Sequence, residues 1–333
     1  MKSLTVVFNG KNELEVRDVE VREPGPNQVQ VQTKCSLIST GTECICLHRK
    51  FAPGTNWDGW VKYPFFPGYS MVGRVVKLGP DVKNVKEGDR VACHVNHTTL
   101  VNVGVSGLFP VPDGLAEDQA TFGKLAYITQ HGFRRAKLQI GEIVVVIGVG
   151  LLGQLIVQYA KLAGAGEVIA IDTAQKRLDM AKKLGATHTL CMPVDQAVAE
   201  VKKITGGKMA DVVFDMTGHA AVFASALELP RRFGRVVLIG DTGTPAEQHL
   251  IHNFLGKDLT LIGAHDTNAP RDTNDYTPWS TQAMVALFYK YLLRGQMNVA
   301  DMITHRFPLK KARDAYDLLT DRRDEAMGVI LEF

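Results

Sequence analysis

Over about the first 120 residues, apolar and polar positions alternate in short stretches that are separated by Gly, Pro, Asn and Asp. β-Branched residues are frequent in these stretches, which read SLTVVF (3–8), QVQVQT (28–33), MVGRVVKLG (71–79) and DRVACHV (89–95). A period of two residues in runs of this length predicts β-strands with one buried face. The pattern therefore indicates an all-β or β-rich module at the start of the chain.

A different pattern begins near Gly141, where apolar runs typical of buried strands alternate with runs of helical period. The strand-like runs are IVVVIG (143–148), EVIAID (167–172), DVVFDM (211–216), RVVLIG (235–240) and LTLIGA (259–264). Strands that alternate with helices predict a parallel sheet wrapped by crossover helices. After about Ala264, helix-like and strand-like segments suit a return to the first module. The predicted fold class is α/β, with a doubly wound parallel sheet domain and a second, β-rich domain.

A glycine-rich turn joins the first buried strand of the α/β region to the helix that follows. Gly148, Gly150 and Gly153 form a GxGxxG motif, with Leu151 and Leu152 completing the turn. A lone motif of this kind is weak evidence, but its place between a strand and a helix predicts a dinucleotide site. Gly148 would permit the tight turn, Gly150 the approach of a pyrophosphate, and Gly153 close packing of helix on strand. The free N–H groups of the helix would face the anion.

An acidic residue ends the second strand of this unit. Asp172 lies 19 positions after Gly153, where a carboxylate can accept hydrogen bonds from both hydroxyls of an adenosine ribose. It would repel the 2′-phosphate of NADP, so NAD is the predicted cofactor. Lys176 and Arg177 lie nearby and would weaken this preference, and we count Arg177 among the cofactor-binding residues. Asp172 could instead serve only as a cap for the next helix.

Composition and charge narrow the class of partner. The 333 residues include 45% apolar and 22% charged residues, which is ordinary for soluble globular proteins, and this length favours two domains. The 38 Lys and Arg are scattered and nearly balanced by 35 Asp and Glu, which argues against a nucleic-acid partner. No apolar run approaches the roughly 18 residues of a membrane span, and the start of the chain lacks a secretory signal pattern. We therefore expect a cytoplasmic protein with a small-molecule substrate and no membrane partner.

Three further motifs read ISTGTE (38–43), PGYSMVG (67–73) and GDRV (88–91). With the glycine turn, they resemble the signatures of the medium-chain dehydrogenase/reductase superfamily, which includes zinc alcohol, polyol and threonine dehydrogenases. The resemblance covers essentially the whole chain. It implies a GroES-like catalytic domain at residues 1–121 and 265–333 around a Rossmann NAD-binding domain at residues 122–264. It also implies a homodimer or homotetramer, with residues 258–263 as the edge strand that pairs between subunits.

The chain departs from this family at the catalytic metal. Matching the motifs places Thr40, Tyr69 and Lys124 where the zinc-dependent members carry a Cys, a His and an acidic ligand. A lysine ammonium has no lone pair for a metal, and Thr and Tyr are poor replacements for thiolate and imidazole. The cysteine cluster of the family's structural zinc is missing as well. The expectation is therefore that the chain binds no metal.

The same three positions, together with Thr42, form the predicted catalytic set. Thr42 matches the hydroxyl that relays the substrate proton in the zinc enzymes. A tyrosine beside a lysine can perform acid–base chemistry, because a nearby ammonium favours the phenolate. Simpler interpretations remain open: Tyr69 could merely fill the lost metal cavity, Lys124 could be a surface charge, and Ser39 and Thr40 could be turn hydroxyls.

The expected function is zinc-independent, NAD(H)-dependent hydride transfer between nicotinamide and a secondary alcohol or its ketone. The STGTE string is similar to a branch of the family that includes bacteriochlorophyllide side-chain dehydrogenases and sugar-linked oxidoreductases, which favours a cyclic, polyol or sugar-like substrate. Two alternatives stay open. One is a zinc-free NAD(P)H quinone or enone reductase, which Asp172 disfavours because such relatives mostly use NADPH. The other is a nucleotide-binding protein without turnover.

Overall fold

A computed structural model describes residues 1–333. Its strands and helices change in arrangement where the hydrophobic pattern of the sequence changes. The first part contains β1 (Lys2–Gly10), β2 (Glu13–Glu20), β3 (Gln28–Leu37), α1 (Thr42–His48), α2 (Asn56–Trp60), β4 (Met71–Leu78), β5 (Arg90–Cys93), β6 (Leu100–Gly104), β7 (Leu108–Pro110), α3 (Glu117–Ala120) and α4 (Gly123–Ala136). The middle contains β8 (Ile143–Ile147), α5 (Leu151–Leu162), β9 (Glu167–Asp172), α6 (Gln175–Leu184), β10 (His188–Cys191), α7 (Val194–Ile204), β11 (Ala210–Asp215), α8 (Ala220–Ala226), β12 (Pro230–Leu238), α9 (His252–Gly256) and β13 (Thr260–Gly263). The chain ends with α10 (Thr281–Leu293), β14 (Ile303–Pro308), α11 (Ala312–Asp321) and β15 (Gly328–Glu332). None of the helices combines the length and apolar character needed to cross a membrane.

One compact unit comprises residues 1–50, 56–124 and 285–333. Its main sheet has the strand order β14-β15-β3-β4-β5-β7, with β6 paired to β3, and β1 and β2 form a separate antiparallel pair. All neighbours in the main sheet are antiparallel except β14 and β15. Alternate residues of its strands form a buried core that includes Val29, Val31, Met71, Val75 and Val91. The period-two pattern of these strands is thus explained by burial of one face.

The second unit comprises residues 51–55 and 125–284. Its six parallel strands have the order β10-β9-β8-β11-β12-β13, and helices cover both faces. Val144 and Val146 point into one core and Val145 and Ile147 into the other, so β8 is apolar at every position. The strand order reverses direction at β8, which is the place where open α/β sheets bind their ligands. This topology confirms the predicted α/β class with a parallel, doubly wound sheet.

The limits of these units differ from the predicted domain limits at 121/122 and 264/265. The second unit ends at residue 284 because the segment after β13 bonds to α4. The Tyr127 hydroxyl donates to Asp266 (3.1 Å), and the Gln130 amide donates to the Met284 carbonyl (2.7 Å). The short segment 51–55 also joins this unit, since Ala52 N donates to the Gly243 carbonyl (2.8 Å).

Candidate functional site

The glycine-rich turn starts where β8 ends, at the strand that divides the parallel sheet. Gly148 has φ +83°, in the left-handed region that favours glycine. A Cβ at this position would also lie 2.8 Å from the Thr217 methyl group. Both the backbone conformation and the packing therefore require glycine at position 148.

The other two glycines of the motif meet different surroundings. A Cβ on Gly153 would overlap the Gly148 carbonyl oxygen, so this glycine lets α5 begin directly against the turn. Gly150 is the N-cap of α5, has an ordinary φ of −69°, and a Cβ there would meet no protein atom within 4 Å. Nothing within the protein requires glycine at position 150, so the open space beside it is available to a ligand.

The start of α5 lies beside this open space. Leu151 and Leu152 are its first two residues, and Leu151 is buried. The first N–H groups of a helix have no partner within the helix and bind anions readily. The Gln154 side chain fixes the geometry by donating to the Val149 carbonyl (2.7 Å) and to the Arg177 carbonyl (2.8 Å). The turn is thereby tied to the next helix, α6, a link that sequence reasoning did not identify.

Asp172 is buried at the carboxyl end of β9 and is bonded on both sides. One carboxylate oxygen accepts from Val149 N (2.9 Å), and the other accepts from Ala174 N (2.9 Å). The capping role that was left open is not observed, because Ala174 is the N-cap of α6 and no side chain caps this helix. The carboxylate instead fixes the glycine-rich turn at Val149 and the residue before α6. Each oxygen retains a second lone pair that can accept another hydrogen bond. Arg177 is close enough for an ion pair, with its guanidinium 3.9 Å from the Asp172 carboxylate.

Tyr69 and Lys124 lie together in the β-rich unit. The Lys124 ammonium is 5.7 Å from the centroid of the Tyr69 ring, within the range of a cation–π contact. The Tyr69 hydroxyl donates a hydrogen bond to the Ser39 hydroxyl. Gly68 makes this turn possible, since it has φ +104° and a Cβ there would lie 2.7 Å from His97 N. The structure therefore brings the predicted tyrosine and lysine into contact and adds Ser39 as the partner of the phenol.

The predicted threonines belong to the segment that carries Ser39. Thr42 is the first residue of α1 and Thr40 lies in the turn before it, and both are half-buried. This segment is held by Glu43, whose carboxylate accepts from Ser39 N (2.7 Å). Tyr69 therefore contacts the hydroxyl of Ser39, which directly precedes Thr40.

The family motifs would imply a zinc ion beside Tyr69, which needs suitable donor atoms there. Thr40, Tyr69 and Lys124 supply two hydroxyls and an ammonium, which are not the thiolate, imidazole and carboxylate donors that zinc takes. No group of three or more His, Cys, Asp and Glu side chains is arranged to hold a metal ion. The residues at these positions do not fit a zinc site.

Comparison with protein families gives two matches. Residues 25–126 match the alcohol dehydrogenase GroES-like domain, and residues 152–282 match the zinc-binding dehydrogenase family. The chain belongs to the medium-chain dehydrogenase/reductase superfamily and is an enzyme of the alcohol dehydrogenase type. This confirms the family that the motifs predicted.

Several curated dehydrogenases are similar over most of their length. L-Threonine 3-dehydrogenase of Bacillus licheniformis is 27% identical over 314 residues, covering 83% of this chain and 85% of that protein. Sorbitol dehydrogenase of Bombyx mori is 26% identical over 352 aligned positions, covering 95% of each. D-Guloside 3-dehydrogenase of Escherichia coli K12 is 29% identical over 270 residues, covering 79% of this chain and 76% of that protein.

Solved structures share the fold at lower identity. An alcohol dehydrogenase of Escherichia coli CFT073, solved in complex with NADH, has a TM-score of 0.81 and 20% identity, covering 100% of this chain and 99% of that one. A zinc-binding dehydrogenase of Sinorhizobium meliloti, solved with NADP, has a TM-score of 0.79 and 22% identity, covering 100% of both chains.

Proposed function

We propose that the protein is a zinc-independent, NAD(H)-dependent oxidoreductase that interconverts a secondary alcohol and its ketone. The observation that carries this proposal is the contact of Tyr69 with Lys124. Matching the motifs places both residues at ligand positions of the zinc-dependent family members. Alcohol oxidation needs a group that accepts the hydroxyl proton, and a phenolate beside an ammonium can do this without a metal.

The second unit supplies the residues that would hold the cofactor. The backbone around Gly150 and the start of α5 would bind the pyrophosphate, and Asp172 would accept hydrogen bonds from the adenosine ribose. Leu151 and Leu152 would lie beside the pyrophosphate, and Arg177 near the ribose. When bound, the nicotinamide accepts or returns the hydride.

The proton is assigned to the β-rich unit. Tyr69 takes the substrate hydroxyl proton during oxidation and returns it during reduction. Lys124 stabilises the phenolate by its charge. Thr42 and Thr40 are assigned to hydrogen bonds with the substrate oxygen, and Thr42 is the one that matches the proton-relaying hydroxyl of the zinc enzymes.

A polyol or sugar-like substrate is the class we favour. Sorbitol and D-guloside dehydrogenases are among the relatives that match most of this chain. Purified protein with NAD and a panel of polyols, sugars and cyclic alcohols should produce reduced cofactor, which is followed by its absorbance. NAD binding without turnover on any alcohol would favour a nucleotide-binding protein, and turnover only with enones or quinones and NADPH would favour a reductase.

The cofactor preference gives a first prediction. We expect NAD to bind at least about tenfold more tightly than NADP, because one unfavourable carboxylate–phosphate pairing is worth roughly 1.4 kcal/mol. The Asp172→Asn variant should narrow this ratio, whereas Asp179→Asn, on the exposed side of α6, should leave it unchanged. Titration calorimetry with both nucleotides measures the ratio, and equal affinities in the wild-type protein would contradict the assignment.

The proposal that catalysis needs no metal gives a second prediction. Thr40, Tyr69 and Lys124 leave zinc without its usual donors, so metal analysis should find well under one zinc per chain. Chelators should leave turnover intact. Turnover that is lost on chelation and restored by zinc would overturn the metal-free mechanism.

Assembly into a homodimer or a dimer of dimers is also proposed. β13 is the last strand of the parallel sheet and pairs only with β12, and its Leu261 is 37% exposed. An edge strand with unpaired N–H and C=O groups can continue the sheet into a second subunit across a two-fold axis. Light scattering at micromolar concentration should give at least twice the mass of one chain, and a monomer would argue against this interface.

A further inference from the structure

The β-rich unit contains a buried cluster of polar side chains that is linked to Tyr69 through Ser39. Its centre is the Glu43 carboxylate on α1, which is 1% exposed. One oxygen accepts from Ser39 N (2.7 Å), and the other bonds to His97 Nε2 (2.9 Å) and accepts from the Tyr316 hydroxyl on α11. His97 Nδ1 bonds in turn to the Ser36 hydroxyl (2.6 Å) on β3. Segments far apart in the sequence are thus joined through one carboxylate.

Stability alone is a weak reason for such a cluster. Burial of a carboxylate is unfavourable unless hydrogen bonds and charges compensate for the lost water, and an apolar replacement is often at least as stable. Here the Glu43 carboxylate has three partners. Burial and the charge of Glu43 raise the pKa of Tyr316 well above its usual value, so its hydroxyl remains a donor. The carboxylate is therefore held in one position by fixed groups.

The order of hydrogen-bonded side chains in this cluster also resembles a nucleophile–histidine–acid arrangement. Ser36 bonds to His97, and His97 bonds to Glu43. However, Ser36 and His97 are both 0% exposed, so no substrate can reach the serine. A nucleophile must contact its substrate, so the cluster supplies none, and any influence on the site has to pass through a more exposed neighbour.

That neighbour is Ser39. Its N–H donates to the Glu43 carboxylate (2.7 Å), and its carbonyl accepts from Glu43 N (2.9 Å). Both backbone polar groups of Ser39 are therefore fixed by Glu43. Its hydroxyl receives the hydrogen bond of Tyr69. We propose that Glu43, fixed by His97 and Tyr316, is a positioning residue that sets the Ser39 hydroxyl as the hydrogen-bond partner of Tyr69. This inference rests on the proposed acid–base role of Tyr69.

The serine hydroxyl suits both states of the tyrosine. It accepts the hydrogen bond of the neutral phenol, and after rotation of its own O–H it donates to the phenolate, so no proton leaves Ser39. Two charged groups act on Tyr69. The Lys124 ammonium lies over the ring, and the Glu43 carboxylate accepts from the backbone N–H of Ser39 and is bonded to His97 and Tyr316. Lys124 favours the phenolate and Glu43 opposes it, so a fixed hydroxyl donor at Ser39 supports the charged state.

The decisive variant is Ser39→Ala. Loss of one hydrogen bond to a charged group should lower turnover at neutral pH about tenfold to a hundredfold and move the oxidation profile to higher pH. Tyr316→Phe, which removes one of the hydrogen bonds that fix Glu43 but keeps the carboxylate charge, should shift the profile in the same direction. NAD affinity should not change. Thr5→Val is the matched control, because it removes a buried hydroxyl that bonds to Thr98 in the same unit and should alter only the melting temperature.

A spectroscopic titration separates this inference from the proposed function. The ultraviolet difference between wild type and Tyr69→Phe reports the ionisation of Tyr69 itself, without any turnover. The same difference is measured in the Ser39→Ala and Tyr316→Phe backgrounds. Ionisation at higher pH in both backgrounds supports the positioning role. Unchanged ionisation overturns it, even where Tyr69→Phe abolishes turnover. If Ser39→Ala does not fold, the Tyr316→Phe background alone provides the measurement, because this variant keeps the ring against Phe8 (5.3 Å between centroids).

Discussion

Replacement of Tyr69 with phenylalanine should lower turnover about 10²–10⁴-fold while leaving NAD affinity nearly unchanged. The substitution removes only the hydroxyl that donates to Ser39 and leaves the ring under the Lys124 ammonium. Because the hydroxyl is the proposed acceptor of the substrate proton, its loss acts on the chemical step. The measurement is steady-state turnover with the best alcohol of the panel, together with NAD binding by calorimetry.

Tyr63→Phe is the matched control for this prediction. Tyr63 lies in the same unit and its hydroxyl donates to the Cys46 carbonyl (2.7 Å), so the control also loses one tyrosine hydrogen bond. It should cost about 0.5–1.5 kcal/mol of stability and little turnover. If Tyr69→Phe keeps more than about a tenth of wild-type turnover, the hydroxyl lowers the activation barrier by less than about 1.4 kcal/mol. Its proposed role in proton transfer would then be refuted. If Tyr69 merely fills a cavity, its replacement should lower the melting temperature instead of turnover.

Much of the fold could be predicted because its signals are local. The runs 143–148 and 167–172 correspond to β8 and β9, and the helix expected after the glycine-rich turn is α5. β2 was not predicted, because its sequence ELEVRDVE is rich in charges and the strand is only half-buried against β1. The second unit extends to residue 284 because of side-chain bonds to α4 that no period in the sequence reveals.

The candidate site also has one part that the sequence predicts and one part that it does not. The glycine-rich turn is encoded in six consecutive residues, and the backbone of Gly148 and the packing of Gly153 follow from that motif. The surroundings of Tyr69 depend on contacts between distant segments. His97 and Tyr316 reach Glu43 across 54 and 273 positions of the chain, and neither lies at a spacing that marks a partner. A single sequence shows which residues can carry charge, but only the fold shows which of them meet.

Replacement of Gly150 with valine should weaken NAD binding about 10–100-fold and cost at most about 1 kcal/mol of stability, because valine is a poorer N-cap than glycine. A Cβ at this position meets no protein atom within 4 Å, and its backbone conformation is open to any residue, so the fold tolerates a side chain. A pyrophosphate that approaches the backbone would instead collide with the valine methyl groups, and overpacking of this kind costs about 1–3 kcal/mol. Calorimetric titration with NAD and a thermal melt test both parts of the expectation.

Two further variants make this result specific. Gly153→Ala should act in the opposite way: its Cβ overlaps the Gly148 carbonyl oxygen, so stability falls whether or not nucleotide is present. Gly104→Val, at the end of β6 in the other unit, also adds a side chain to open space and should change neither property. Undiminished NAD affinity in Gly150→Val would mean that the pyrophosphate does not approach this turn. The nucleotide would then have to bind elsewhere along the carboxyl edge of the parallel sheet, and the assignment of Asp172 to the ribose would fail with it.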